Sequence, residues 1–302
     1  MSDLSIPDPA AAAHFPQPQA LDIQHDTDPA QDHGDARRIP HLGHAALFFA
    51  IAMVCFFICL LIAVGITAVR HPHEPTTSPV FIHAAVFAQI AAYALTLAIS
   101  VAIFPLVWHR SFLNGISWNY RAARLHWWQL ILLSGVTCTV ALLAGLLVKA
   151  PKETDLLKIF DTTLFAWIST LLGAFLAPVI EEIGFRGFLL PAIATAYDWI
   201  ALDRTPAAHM RWRQTTSHTT PALVLAAIIS STIFASIHGF QLHGQIGPII
   251  ILFGVSLVLS AVRIRLHSVA ASTLLHVSYN SLLMLGMIVQ TGGFRHLDKL
   301  TR

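Results

Sequence analysis

The chain has 302 residues, of which 55% are hydrophobic and only 11% are charged. Soluble domains carry about 25% charged residues, so this composition excludes an ordinary soluble protein and indicates a lipid environment. The net charge of +2 and the lack of any cluster of five or more Lys or Arg exclude a nucleic-acid partner.

The first 40 residues differ from the rest of the chain. They hold seven Asp and six Pro but few large apolar residues. Such a composition cannot bury a core, which predicts a disordered acidic and Pro-rich tail over residues 1–40. No basic start followed by an apolar run opens the chain, so a secretory signal peptide is not expected.

Long apolar runs follow the tail, and each is close to the roughly 20 residues that a membrane-spanning helix needs. Their continuous apolar character excludes the alternating pattern of a membrane barrel. The predicted fold is therefore an all-α, polytopic transmembrane bundle of about seven to eight spans. Seven runs fit, at 45–69, 81–108, 127–148, 162–180, 221–237, 246–262 and 268–289. An eighth run, 187–202, is apolar but contains Pro191 and Asp198, and it could continue a helix, re-enter the membrane or lie at its interface.

Basic residues between the spans predict the orientation. If the tail is cytoplasmic, ten arginines flank the inner ends of the spans, whereas four Lys or Arg lie outside before the final segment. Cytoplasmic loops are enriched in Lys and Arg, so we expect a cytoplasmic amino terminus. The basic carboxyl-terminal segment fits this topology less well.

Three charged residues fall within an apolar region, where charge is costly. Glu182 and Arg186 are four apart and share a helix face, so they can form an ion pair. Glu181 points about 100° away from Glu182 and is left without a local cation, which suits a general base. The alternative is a helix end at the interface, where all three side chains reach water.

Two histidines in later spans add to these carboxylates. His238 ends one span and has Phe234 one turn before it, whereas His276 lies within another span and has Asn280 one turn after it. A lone histidine in the membrane is more often a hydrogen-bonded packing residue. Polar groups on three separate helices need partners, however, so we expect the carboxylate and both imidazoles to converge.

The residue types leave two chemistries open. Glu181 and His238 could activate a water, with His276 and Asn280 stabilising an oxyanion. Alternatively, Glu181, His238 and His276 could hold zinc and leave one position for water. Neither the serine-hydrolase string Gly-x-Ser-x-Gly nor the zinc motif His-Glu-x-x-His occurs.

The ordered set Glu-Glu-x-x-x-Arg, Phe-x-x-x-His and His-x-x-x-Asn resembles the CPBP family of CAAX proteases and bacteriocin-processing proteins, also called the Abi family. The string Ala177 to Phe188, APVIEEIGFRGF, is also similar to that family's first motif. The resemblance covers roughly residues 160–290 and divides the chain into amino-terminal helices (41–158), a catalytic core (159–291) and a carboxyl-terminal tail (292–302).

The resemblance implies a membrane-embedded endopeptidase of the type II CAAX prenyl protease kind. By resemblance, Glu181 and His238 activate water, His276 and Asn280 stabilise the oxyanion, and Glu182, Arg186 and Phe234 support the site. Family catalysis is described both as metal-dependent and as glutamate-dependent, so a zinc cofactor stays open.

The resemblance implies two partners, the lipid bilayer and a membrane-associated protein or peptide substrate. Prenylated CAAX-type proteins are one such substrate class, although no feature of this sequence identifies a site for a prenyl group. The implied location is a cell membrane, and family abundance favours a bacterial inner membrane. A transporter or proton relay is one alternative, but the chain lacks the internal repeats that transport predicts. A non-catalytic scaffold of the same family is the other.

Overall fold

A computed structural model describes residues 38–148, 159–239 and 244–300, together with Leu242. The described residues form helices and no strand, so the predicted all-α fold is confirmed. Residues 1–37 of the predicted tail lie outside the described residues. The predicted domain boundaries stay predictions.

Ten helices in the described part of the chain are numbered here in order. They are α1 (Leu42–Arg70), α2 (Pro79–Trp108), α3 (Phe112–Gly115), α4 (Tyr120–Leu125), α5 (Trp127–Leu146), α6 (Thr163–Ile200), α7 (Pro206–Gln214), α8 (Thr220–His238), α9 (Ile246–Leu266) and α10 (Val269–Gln290). A short 3-10 helix, Leu297–Leu300, follows.

Seven of these helices are long and apolar enough to cross a membrane: α1, α2, α5, α6, α8, α9 and α10. Large apolar side chains are strongly exposed on their outer faces, for example Leu61 at 75% and Leu106 at 76%. Because such surfaces are stable against lipid rather than water, the protein is a multi-pass membrane protein.

The eighth apolar run is not a separate span. Residues 187–200 form the second half of α6, a helix of 38 residues. At about 1.5 Å per residue, an α-helix of this length exceeds the roughly 30 Å hydrocarbon thickness. At its far end Asp198 accepts hydrogen bonds from the Thr219 hydroxyl at 2.6 Å and pairs with His218 at 3.0 Å, which ties α6 to the start of α8.

Two π-helical segments interrupt α6, and each precedes a proline. Leu172–Leu176 comes before Pro178, and Ile183–Leu189 comes before Pro191. Proline cannot donate the regular helical hydrogen bond and its ring clashes with the preceding turn, so a wider turn accommodates it. The turn that carries both glutamates therefore lies between two distortions, which are frequent at functional sites.

The two amino-terminal spans pack directly against this distorted helix. Phe48 of α1 stacks on Phe188 of α6 with ring centroids 4.6 Å apart, and Phe104 of α2 lies 4.7 Å from the same ring. A Cβ on Gly184 would lie 3.0 Å from the Phe48 ring, so a larger residue there would push this ring aside by a few tenths of an ångström. The helices outside the resembling region thus help to position the glutamates.

Several arginines expected on one side of the membrane lie together at one end of the bundle. Arg38, Arg110 and Arg263 line a single cavity there, where α2 and α9 end and α8 begins. This common placement agrees with the predicted grouping of the basic flanks. Which side is cytoplasmic stays a prediction.

Candidate active site

Glu182 forms the buried base of the site. Its Oε1 atom accepts a hydrogen bond from Arg186 at 2.9 Å, and both side chains are 0% exposed. The ion pair predicted from their spacing is confirmed. Because the pair is buried, removal of either partner would leave a charge without compensation.

Arg186 is held by a third helix that the sequence did not reveal. Its Nη2 atom donates to the Ser256 hydroxyl at 2.7 Å and to the Ser256 carbonyl at 2.9 Å, both on α9. The carbonyl of Arg186 in turn accepts a hydrogen bond from Arg263 Nε at 3.2 Å. No motif marks Ser256 or Arg263, because their roles depend on how α9 packs against α6.

His276 bridges the two glutamates. Its Nδ1 atom lies 3.0 Å from Glu182 Oε1, which already accepts from Arg186, and its Nε2 atom lies 3.8 Å from Glu181 Oε2. The ring is 5% exposed. An ionised carboxylate can only accept, so Nδ1 carries a proton and the imidazole orientation is fixed.

His238 is oriented by its own helix. Its Nδ1 atom donates to the carbonyl of Phe234 at 2.8 Å, because a carbonyl oxygen can only accept. Its Nε2 atom faces Glu181 Oε1 at 3.9 Å. The Phe234 ring lies between the two histidines, with centroids 4.6 Å from His238 and 6.0 Å from His276.

Glu181 therefore lies between two imidazoles that come from α8 and α10. Separations of 3.8 and 3.9 Å are too long for direct hydrogen bonds but leave room for bridging water. The Glu181 side chain is 22% exposed and that of His238 is 23% exposed, so water can reach them. The three groups expected to converge do lie together.

Asn280 lies one turn beyond His276 and contacts α6. Its Nδ2 atom donates to the carbonyl of Gly173 at 2.9 Å, within the first π-helical segment. One N–H of the amide is used in this bond. The second N–H of the amide remains available to donate a hydrogen bond to an oxyanion.

The side chains do not fit a tetrahedral zinc ion in this arrangement. Ligands about 2.0–2.1 Å from zinc lie about 3.3 Å from one another, whereas Glu181 presents different oxygens to the two imidazoles at 3.9 and 3.8 Å. In the part of the chain that the structure describes, no group of three or more His, Cys, Asp or Glu is arranged to hold a metal. Zinc was one of two alternatives left open by the sequence, and that alternative stays a prediction.

Tyr93 of α2 is a further neighbour that the sequence analysis missed. It interacts electrostatically with Glu181, and its hydroxyl accepts a hydrogen bond from Gln89 at 2.8 Å, which leaves its own proton available. It lies outside the resembling region and in a run with no motif, so only the packing of α2 against α6 identifies it.

Comparison with known proteins identifies one family. Residues 162–282 match the model described as type II CAAX prenyl endopeptidase Rce1-like, and this segment contains every residue of the three motifs. The match confirms the family resemblance found in the sequence. No curated protein and no solved structure matches the chain.

Proposed function

Since residues 162–282 match the type II CAAX prenyl endopeptidase Rce1-like family, we propose that the chain hydrolyses a peptide bond in a membrane-associated protein or peptide, using water activated by Glu181 and His238. That family is one of membrane proteases, which supports peptide hydrolysis as the reaction class. The main support for the mechanism is the position of Glu181 between two imidazoles whose Nδ1 atoms are already engaged.

A water between Glu181 and His238 has two acceptors. The Nδ1 proton of His238 is bonded to Phe234, so the neutral ring offers its Nε2 lone pair to the water. Glu181 Oε1 offers the second acceptor. As the water oxygen attacks the carbonyl carbon, Glu181 accepts a water proton, and that proton then passes to the nitrogen that leaves when the C–N bond breaks.

The oxyanion of the tetrahedral intermediate needs hydrogen-bond donors on the opposite side. His276 can donate from Nε2 when both ring nitrogens are protonated, and Asn280 can donate its second N–H. His276 and Asn280 are therefore the two proposed donors to the oxyanion.

Glu182 and Arg186 are proposed as positioning residues. Glu182 holds the His276 ring through Nδ1, while Arg186 fixes Glu182 and is itself fixed by Ser256. Rigid support of this kind keeps reacting groups within a few tenths of an ångström of a productive geometry, which contributes strongly to rate.

The substrate class follows from the family and from the location of the site. A carboxylate and a histidine that are about one-fifth exposed, within helices that face lipid, favour a peptide delivered along the membrane. We propose prenylated CAAX-type peptides as the first substrates to test. Unprenylated membrane peptides are the second class to test.

The decisive experiment uses the purified full-length protein in detergent with a peptide that ends in a farnesylated cysteine and three further residues. Mass spectrometry of the products should identify a new carboxyl terminus with incorporated oxygen from labelled water. Glu181→Gln should lower the rate by about 10³-fold or more, since general-base catalysis contributes on that order.

Glu74→Gln is the matched control, because Glu74 is an exposed glutamate in the loop between α1 and α2. It should cleave at the wild-type rate. Full activity of folded Glu181→Gln would refute the proposed base. Failure of the wild type on both prenylated and unprenylated peptides would instead favour a scaffold role.

A further inference from the structure

A cavity at the basic end of the bundle is separate from the proposed active site. It has a volume of about 420 Å³ and contains none of the residues proposed for catalysis. Its polar lining includes Arg38, Arg110, Ser217, His218, Arg263 and His267, and no Asp or Glu occurs among the described residues that line it. Its chemistry is therefore that of an anion site.

Arg263 is the strongest reason to expect a ligand. It is only 8% exposed, and its Nε atom donates to the carbonyl of Arg186 at 3.2 Å. Within residues 38–148, 159–239 and 244–300 its guanidinium forms no other hydrogen bond and no ion pair. The neighbouring carboxylate, Glu182, is already paired with Arg186. A buried cation that lines a cavity without its own counter-charge is stabilised by a bound anion.

Arg110 provides a second cation from another helix end. It is exposed, follows α2, and forms no ion pair within the described part of the chain. Arg38 and His218 contribute less, because Asp198 lies 3.7 Å from the first and 3.0 Å from the second. The free positive charge of the cavity thus lies mainly on Arg110 and Arg263.

Two guanidiniums around one cavity suit a phosphate group, whose oxygens accept several hydrogen bonds from planar donor forks. The cavity lies where α2 and α9 end and α8 begins, which is the depth at which spanning helices meet the polar headgroups. We propose that it binds a phosphate-type anion, supplied either by an anionic phospholipid headgroup or by free phosphate.

A bound anion would also act on the helix that carries both glutamates. Arg263 contacts the carbonyl of Arg186, only five residues after Glu181. Fixing the Arg263 guanidinium from the cavity side would therefore hold this part of α6 in place. The binding itself, however, is independent of whether the protein cleaves peptides.

The test uses full-length protein in nanodiscs of phosphatidylcholine. In one arm inorganic phosphate is titrated in. In the other, phosphatidylglycerol is mixed into the nanodiscs in buffer free of phosphate. Thermal unfolding gives the affinity in each arm, because a ligand of the folded state raises Tm with concentration. We expect Tm to rise in at least one arm, and Arg110→Gln to weaken that binding by about tenfold or more.

Arg265→Gln is the matched control, because Arg265 is exposed, lies two residues from Arg263 and does not line the cavity. It removes the same charge and should bind like the wild type. Arg263→Gln should abolish binding if it folds, and Arg110→Gln keeps the test valid if it does not. A response to lipid alone identifies a headgroup, and a response to phosphate alone identifies a soluble anion. No Tm change in either arm, or equal losses in Arg110→Gln and Arg265→Gln, would overturn the proposal.

Discussion

Glu181 and Glu182 are consecutive residues of α6, but they lie in contrasting regions of the site. Glu182 belongs to an inner region that also contains Arg186 and His276. All three side chains are buried, and Glu182 accepts a hydrogen bond from each of the other two. Glu181 belongs to an outer region, partly exposed, where its nearest imidazoles stay 3.8 and 3.9 Å away. A rotation of about 100° per residue produces this contrast, and it separates a group that holds the structure from a group free to react.

The contrast predicts that damage to the inner region acts first on stability. Arg186→Met should lower the free energy of unfolding by about 3–5 kcal/mol, because Glu182 would stay buried without its partner. Denaturation in detergent micelles measures this. Glu181→Gln is the matched comparison and should unfold within about 1 kcal/mol of the wild type. Equal destabilisation by both changes would erase the distinction between the two regions.

Damage to the outer region should act on rate alone. His238→Ala should lower kcat/KM by about 10²–10³-fold, because the water loses one of its two acceptors while Phe234 stays in place. The unfolding midpoint should not change. His71→Ala, in an exposed position after α1, is the control and should keep full activity. A stability loss in His238→Ala that matches its loss of rate would argue for a packing role instead.

The smallest effect is expected at the edge of the inner region. Ser256→Ala removes the 2.7 Å hydrogen bond to Arg186 but leaves the backbone carbonyl in place. We expect a loss of about 1–2 kcal/mol in unfolding free energy and a modest loss of activity. Ser260→Ala, one turn later on α9, breaks only a 3.4 Å contact with Ser231 and should cost less. The reverse order of the two variants would contradict the role given to Ser256.

The sequence predicted those parts of the site that depend on local spacing. Glu182 and Arg186 share a helix face whatever surrounds them, and apolar runs of spanning length predict seven to eight membrane spans. The convergence of Glu181 with two distant histidines could be predicted only from the general rule that polar groups within a membrane need polar partners.

Other features depend on packing that no local pattern encodes. Pro191 was compatible with the end of a helix at this point, whereas the π-helical segment before it lets α6 continue. Ser256 lies in the apolar run of α9 and Arg263 comes directly after it, and their contacts with α6 exist only because the two helices pack at that register. Tyr93 gave no signal, because α2 carries no motif.

A double-mutant cycle of Glu181→Gln and His238→Ala tests the central claim most directly. If both side chains act on one water, the double variant should be no slower than the slower single variant, because groups that work as a unit lose their effect together. kcat/KM on the cleaved peptide is the quantity to compare. Losses that multiply in the double variant would mean that the two groups act independently, and the shared site would have to be abandoned.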